Sequence, residues 1–102
     1  MDIKKVVGGL RYDTTKAETV CRHERGYPRD FEYEDTTLYR TSGSRFFLAG
    51  EGGARSRWAE RVSGGLQGGE GLIPVTVEEA REFAERYADA ETVERFFEVE
   101  DA

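Results

Sequence analysis

Cys21 and His23 are the residues whose types and spacing could do covalent chemistry, because a cysteine beside a histidine can form a nucleophile and base pair. We predict a helix over residues 15–25, on which residues two positions apart point to nearly opposite sides. That geometry separates the thiol from the imidazole. One cysteine and one histidine also cannot supply the four ligands of a structural zinc site, nor can one cysteine form an internal disulfide. We therefore expect no enzyme activity, no cofactor and no bound metal.

Other catalytic or phosphate-binding motifs are missing from the sequence. No serine lies in a Gly-x-Ser-x-Gly elbow, and a serine triad would need the same His23. Eight of the twelve glycines lie between residues 50 and 71, but they form no Gly-x-Gly-x-x-Gly motif. A Walker A lysine is also missing there, since all three lysines lie within the first 16 residues. We interpret these glycines as structural residues that permit tight turns.

Arginines and aromatic residues are concentrated in residues 40–61, the mixture that nucleic-acid-binding proteins use for phosphate contact and base stacking. The net charge of −6 and an expected core role for half of these aromatics disfavour direct nucleic-acid binding. A nucleic-acid-binding regulatory accessory protein remains the alternative function. The residues of this cluster are Arg40, Arg45, Arg55, Arg57 and Arg61 with Tyr39, Phe46, Phe47 and Trp58.

Negative charge is concentrated in the C-terminal part of the chain. Residues 61–102 carry 4 Lys and Arg against 11 Asp and Glu, whereas residues 1–60 carry 11 against 10. Such a surface either keeps the protein soluble or attracts a partner rich in Arg and Lys. We predict a partner-binding acidic helix face formed by Glu78, Glu82, Glu85, Asp89, Glu91 and Glu94. The exposed loop around Glu51, Arg55 and Arg57 is the alternative contact region.

Two arginines are placed to offset part of this negative charge. On a helix, residues three or four positions apart are neighbours, so Glu82 can pair with Arg86 and Glu91 with Arg95. Like charges at the same spacing, such as Glu78 with Glu82, cost about 0.2–0.5 kcal/mol in an isolated helix. A modest net negative surface is expected to remain.

The 102 residues predict one α+β domain with a small, mainly antiparallel sheet of about five strands and two or three helices packed on it. Paired glycines at positions 8 and 9 fit the positive φ angles of a two-residue hairpin turn. Pro74 indicates an edge strand, because proline donates no ladder hydrogen bond. Tyr39, Phe46 and Leu48 are the predicted buried face. The predicted strands are residues 3–7, 10–13, 36–41, 45–50 and 72–75.

Two capping-box patterns predict helix starts, because a threonine and a glutamate three residues later can satisfy free backbone N–H groups. Thr15 with Glu18 predicts the helix over residues 15–25, and Thr76 with Glu79 predicts one over residues 77–88. Asp89 can cap a last helix over residues 90–97, before a tail that frays. Residues 56–62 could form two further helical turns.

The chain shows no apolar run near the roughly 18 residues that a membrane-spanning helix needs. Its first residues also lack the apolar stretch of a signal peptide. We therefore expect a cytoplasmic protein without a membrane partner.

Four segments stand out in this order: residues 11–18, residues 38–41, residues 47–56, and residues 73–76 with Glu78-Glu79-Ala80. They resemble a family of small uncharacterised proteins carried by phages, plasmids and integrative elements of Gram-positive bacteria. The resemblance covers most of the chain, and Leu-Tyr-Arg-Thr at residues 38–41 followed by Gly-Glu-Gly-Gly at residues 50–53 is its most specific part. The resemblance implies a mobile-element setting and assigns no role to any residue.

A mobile-element setting suggests a target, because short acidic proteins of such elements often inhibit host defence. The chain is similar to anti-CRISPR proteins in size, in composition and in its lack of catalytic motifs. Some of those proteins present carboxylates where nucleic-acid phosphates would bind. We therefore expect an anti-CRISPR or similar anti-defence inhibitor that binds a host effector complex and blocks its DNA-binding surface as a DNA mimic.

Overall fold

The computed structural model describes residues 2–102, which form eight strands and two helices. The strands are β1 (Lys4–Val7), β2 (Leu10–Asp13), β3 (Glu18–Arg25), β4 (Glu34–Arg40), β5 (Phe46–Gly52), β6 (Glu60–Val62), β7 (Gly65–Gln67) and β8 (Gly69–Val75). The helices are α1 (Val77–Tyr87) and α2 (Ala90–Phe96).

The centre of the molecule is a four-stranded antiparallel sheet in the order β3-β4-β5-β8. Helices α1 and α2 cover one face, which we call the helix face of the sheet, and the β1–β2 hairpin covers part of the opposite, open face. The predicted α+β class with mainly antiparallel strands is confirmed. The predicted single sheet of about five strands is wrong, because β1–β2 and β6–β7 form separate two-stranded sheets.

Both predicted hairpins are present. Gly8 and Gly9 have φ angles of 60° and 80°, the left-handed conformation that a type I′ turn requires and that glycine adopts without steric cost. Strands β4 and β5 form the second hairpin, with Leu38 opposite Leu48. Strand β8, which contains Pro74, lies at the edge of the four-stranded sheet, as proline favours.

The predicted helix over residues 15–25 is wrong: the segment turns and then forms strand β3. Thr15 does not cap a helix, because both its backbone N–H and its hydroxyl donate to Oδ1 of Asp13, at 2.9 and 2.7 Å. Such a local bond to an aspartate favours a turn over a helix. Glu18 instead reaches across the sheet to Arg40, 2.8 Å away.

The two helical turns predicted over residues 56–62 are also wrong. Ser56 closes a turn, since its hydroxyl donates to the Gly53 carbonyl at 2.8 Å and accepts from the Trp58 N–H at 3.1 Å. The chain then enters the β6–β7 hairpin. The glycines around this segment therefore serve turns and short strands.

The two C-terminal helices form where the sequence predicted them. Thr76 caps α1 in a full capping box, with the Glu79 N–H donating to its hydroxyl at 3.1 Å and its own N–H donating to Glu79 at 2.9 Å. Asp89 caps α2 through the Thr92 N–H at 2.9 Å. The helices bury Ala80, Phe83, Ala84, Val93 and Phe96 against the sheet, and Phe97 beyond α2 joins them.

The predicted buried face mixes two sides of the sheet. Phe46 and Leu48 lie on the helix face and are buried there. Tyr39 lies on the open face, where it is only partly buried and stacks on Phe47 with ring centroids 5.0 Å apart. Tyr39 sits opposite Phe47 in the ladder, so the alternation of side chains along β4 and β5 assigns both to that face.

Candidate partner-binding site

The acidic helix face consists of exposed carboxylates on the two C-terminal helices. Glu78, Glu82 and Glu85 lie on the side of α1 opposite the buried Ala80 and Phe83, as 100° per residue dictates. The remaining members begin or lie on α2. All six residues, Glu78, Glu82, Glu85, Asp89, Glu91 and Glu94, are exposed.

None of these six carboxylates forms an ion pair within residues 2–102. The predicted pairs of Glu82 with Arg86 and Glu91 with Arg95 are therefore wrong. Arg95 instead lies 2.9 Å from Glu18 on β3, which also pairs with Arg40, so packing of α2 on the sheet takes this arginine away from its helical neighbour. The negative charge of the face is less compensated than the helical spacing predicted.

Asp89 is exposed and also caps the start of helix α2. Its carboxylate accepts hydrogen bonds from the Thr92 side chain and backbone, which lowers the pKa of Asp89 below its ordinary value. A charged carboxylate at this position also complements the positive end of the helix dipole. Asp89 thus positions α2, while the five glutamates of the face have no bonding partner that would compete with a ligand.

The alternative loop contact is only partly free. Arg57 places its Nε 3.0 Å from the buried Glu34 carboxylate, and its guanidinium lies 5.6 Å from the Phe83 ring centroid. The Arg55 backbone N–H donates to the Phe31 carbonyl at 2.8 Å. Glu51 lies on β5 and points to the open face. Of the three predicted loop residues, Arg57 is engaged by Glu34, although its side chain remains 35% exposed.

The arginine and aromatic cluster at residues 40–61 does not form a stacking platform. Phe46, Phe47 and Trp58 are buried, on different faces of the sheet, and Tyr39 is partly buried. Arg40 pairs with Glu18 and lies over the Phe96 ring at 4.7 Å. The aromatic rings that would stack on bases therefore pack inside the protein, which removes the main support for the alternative nucleic-acid-binding function.

Cys21 and His23 both point to the helix face of the sheet, because they lie two positions apart on strand β3. The predicted separation on opposite sides of a helix is wrong. Burial raises the pKa of the Cys21 thiol to about 11, so the thiol is protonated and a poor nucleophile at neutral pH. The His23 ring stacks on Tyr87 with centroids 3.8 Å apart. Both side chains take part in packing.

A buried polar network on the helix face was not foreseen from the sequence. Glu34, 5% exposed, accepts a hydrogen bond from the Thr36 hydroxyl at 2.7 Å, and that hydroxyl accepts one from the Trp58 indole N–H at 2.9 Å. The indole lies on Gly50 and Gly71, which oppose each other in the β5–β8 ladder. Gly50 and Gly71 each adjoin residues with strand propensity. A glycine in such a position is a sequence signal that another group packs closely against the backbone.

A row of four carboxylates across the open face was also missed. Glu24, Asp35, Glu51 and Glu70 stand directly opposite one another on β3, β4, β5 and β8, and we call them the carboxylate row. Directly opposed residues have Cβ atoms about 4.5–5.5 Å apart, and like charges in such pairs are destabilising. Arg22 neutralises one end, with two contacts of 2.7 Å to Asp35 and one of 3.4 Å to Glu24.

Within residues 2–102, no group of three His, Cys, Asp or Glu side chains has a geometry that could hold a metal ion. No helix of this part of the chain is long and apolar enough to cross a membrane. Comparison of the chain with protein-family models, curated proteins and solved structures gave no match.

Proposed function

We propose that the protein is a non-enzymatic inhibitor whose acidic helix face occupies a basic, DNA-binding surface of a host defence complex such as a CRISPR effector. The observation that carries this proposal is the set of five exposed glutamates on α1 and α2 that have no ion-pair partner within residues 2–102. The resemblance to mobile-element proteins supports a defence complex as the target.

The arrangement of the face suits a surface built for phosphates. Carboxylates at i and i+4 on one helix stand about 5–6 Å apart, which lets Glu78 and Glu82 engage neighbouring basic side chains. The helices are preorganised, because Thr76 and Asp89 cap their starts and their apolar sides pack on the sheet. A preorganised surface loses less conformational entropy on binding, so more of its interaction energy contributes to affinity.

Charge also favours a basic partner before contact is made. Unpaired surface carboxylates produce a negative field that accelerates the encounter with a positively charged groove, most strongly at low ionic strength. The same field repels nucleic acid, whose phosphates are negative. The protein is therefore expected to compete with DNA for the groove without binding DNA itself.

The test is a triple charge reversal, Glu78→Lys, Glu82→Lys and Glu85→Lys, assayed for inhibition of target-DNA binding by the purified effector complex. We expect the half-inhibitory concentration to rise by at least about tenfold, since charge pairs are lost and like charges face each other. Exposed substitutions change stability by no more than about 0.5 kcal/mol each, so the fold should persist.

The matched control reverses Glu98, Glu100 and Asp101, which changes the net charge equally in the exposed C-terminal tail. We expect this variant to inhibit nearly as well as the parent and the helix-face variant to lose most at low salt. Equal inhibition by the helix-face variant and the parent would show that the acidic face is only solubilising. If no CRISPR effector of the host responds to the parent, the anti-CRISPR assignment is wrong.

A further inference from the structure

The end of the sheet farthest from the β4–β5 turn borders an open groove of about 770 Å³, which we call the Tyr33 groove. Its walls come from the loop before β4, the ends of β5 and β8, and the β6–β7 hairpin. Four carboxylates line it, against one arginine, Arg29. The carboxylates are Asp30, Glu51, Glu60 and Glu70.

Two of these carboxylates belong to the carboxylate row and lack a basic partner. Arg22 serves Asp35 and Glu24 at the β3 end of the row, whereas Glu51 and Glu70 form no ion pair within the described chain. They stand opposite each other in the β5–β8 ladder, a like-charged pair that weakens the sheet. A bound cation between them would relieve that repulsion.

Tyr33 is an independent sign that the groove takes a polar ligand. Its side chain is nine-tenths buried, with 9% exposure, and lines the groove. The hydroxyl forms no hydrogen bond with another described residue, yet no enclosed side-chain oxygen or nitrogen of that part of the chain lacks a partner. The hydroxyl is therefore open to solvent, and Tyr33 lines the groove, so the hydroxyl is free to bond to a ligand there.

The surroundings of Tyr33 fix its chemical state. Burial, followed by the charges of Asp35, Glu51 and Glu24, raises the pKa of its hydroxyl above the ordinary value of 10.0. The phenol is therefore neutral at physiological pH and offers both a donor and an acceptor. Three members of the carboxylate row, Asp35, Glu51 and Glu24, thus contribute to this shift, which Arg22 partly opposes.

Exposed apolar side chains at the groove rim favour a protein ligand over a bare cation. Phe31 is 67% exposed and Leu66 is 56% exposed. The Arg55 guanidinium lies 6.0 Å from the Phe31 ring centroid, so this ring already contacts one planar cation of the protein itself. A guanidinium also matches paired carboxylates better than an ammonium does, because its N–H groups form a planar fork.

We propose that the Tyr33 groove binds an arginine side chain of a basic segment of a partner protein. The guanidinium lies between the Glu51 and Glu70 carboxylates and the Tyr33 hydroxyl, and the flanking residues of the segment contact Phe31 and Leu66. This site is separate from the acidic helix face, because Glu51 and Glu70 of the carboxylate row lie on the open face, away from the helices. The molecule then has two acidic contact surfaces on opposite faces of one sheet.

The probe is a fluorescein-labelled peptide of two arginines separated by glycines, and its control replaces both arginines by citrulline, which has the same shape without the charge. Fluorescence anisotropy measures binding to the full chain. We expect the parent to bind the arginine peptide and the paired change Glu51→Gln with Glu70→Gln to weaken binding by about tenfold. Tyr33→Phe removes one hydrogen bond and should weaken it by about threefold.

The matched control is Glu82→Gln with Glu85→Gln, which changes the net charge equally on the other side of the molecule; it should weaken binding by less than about twofold. Amide chemical shifts of the parent should move at Glu51, Gly52, Gly69 and Glu70. Glu70→Gln alone, at an exposed edge position, repeats the test if the pair disturbs folding.

The proposal is overturned if the parent does not bind the arginine peptide, or if the citrulline peptide binds equally well. Equal weakening by the groove pair and the helix pair would overturn it too, since that result means unspecific attraction between net charges. Loss of peptide binding in a variant that still inhibits a defence complex supports the groove as a separate site. Failure of the helix-face proposal alone leaves these peptide results unchanged.

Discussion

The two faces of the four-stranded sheet differ in what their side chains do. The helix face carries a cluster of eleven buried residues and the hydrogen-bonded Glu34, Thr36 and Trp58 network, whereas the open face has a buried cluster of four. Beyond that smaller cluster, the open face holds a row of like-charged carboxylates. One face therefore stabilises the fold, whereas the other tolerates unfavourable charge.

The largest expected effect comes from adding a side chain at Gly50, which lies against the Trp58 indole on the helix face. A Cβ at Gly50 would lie 2.8 Å from the Trp58 Nε1 and 2.9 Å from the Thr36 Cα. The backbone of strand β4, to which Thr36 belongs, cannot move away without breaking the sheet. We expect Gly50→Ala to lower the free energy of unfolding by at least about 4 kcal/mol, measured by urea denaturation.

Gly64→Ala is the matched control for that substitution, because a Cβ at Gly64 meets no atom within 4 Å. Its free energy of unfolding should stay within about 1 kcal/mol of the parent. Equal stability of the two alanine variants would show that the indole does not pack on Gly50 as described.

A smaller effect is expected from removing the indole N–H. Trp58→Phe leaves an acceptor position of the buried Thr36 hydroxyl unsatisfied and leaves space beside the glycines, so we expect a loss of about 2–4 kcal/mol in thermal or urea unfolding. On the open face, Tyr39→Phe removes a hydroxyl from a partly buried ring and should change stability by less than about 0.5 kcal/mol. Similar losses in both variants would contradict the difference between the faces.

The smallest effect has the opposite sign. Glu70→Gln removes one of two like charges that face each other across the β5–β8 ladder, and this residue has no ion-pair partner within residues 2–102. We expect the variant to be more stable than the parent by about 0.2–1 kcal/mol at low salt and to lose this advantage at high salt. A destabilised variant would mean that Glu70 has a stabilising partner in solution.

The sequence predicted those elements whose local chemistry agrees with their packing. The glycine pair at positions 8 and 9 predicted a hairpin turn, because only glycine adopts its positive φ angles without steric cost. Thr76 with Glu79 predicted a helix start, because their side chains satisfy the free backbone N–H groups. The exposed positions of the acidic helix face also follow from helical spacing alone. Its role in binding stays a prediction.

The conformation of residues 15–25 was predicted wrongly, because Thr15, the first residue of the capping pattern, bonds to the nearby Asp13 instead of capping a helix. Asp13 accepts a hydrogen bond from the Thr15 hydroxyl, and Glu18 pairs with Arg40 on β4 and Arg95 on α2, so these contacts decide the conformation. The carboxylate row escaped prediction for a different reason. Its members are far apart in sequence and meet only in one register, and a slip of one residue would move a glutamate to the other face.

Carbodiimide cross-linking tests the central claim most directly, because it joins carboxylates to lysines only where the two are in contact. The tagged protein is mixed with the defence complex that we propose it inhibits, cross-linked without a spacer, and digested for mass spectrometry. We predict links from Glu78, Glu82, Glu85, Glu91 and Glu94 to lysines of the DNA-binding groove, and their loss when target DNA occupies that groove. Links confined to the C-terminal tail, or links that persist with DNA bound, would contradict the account.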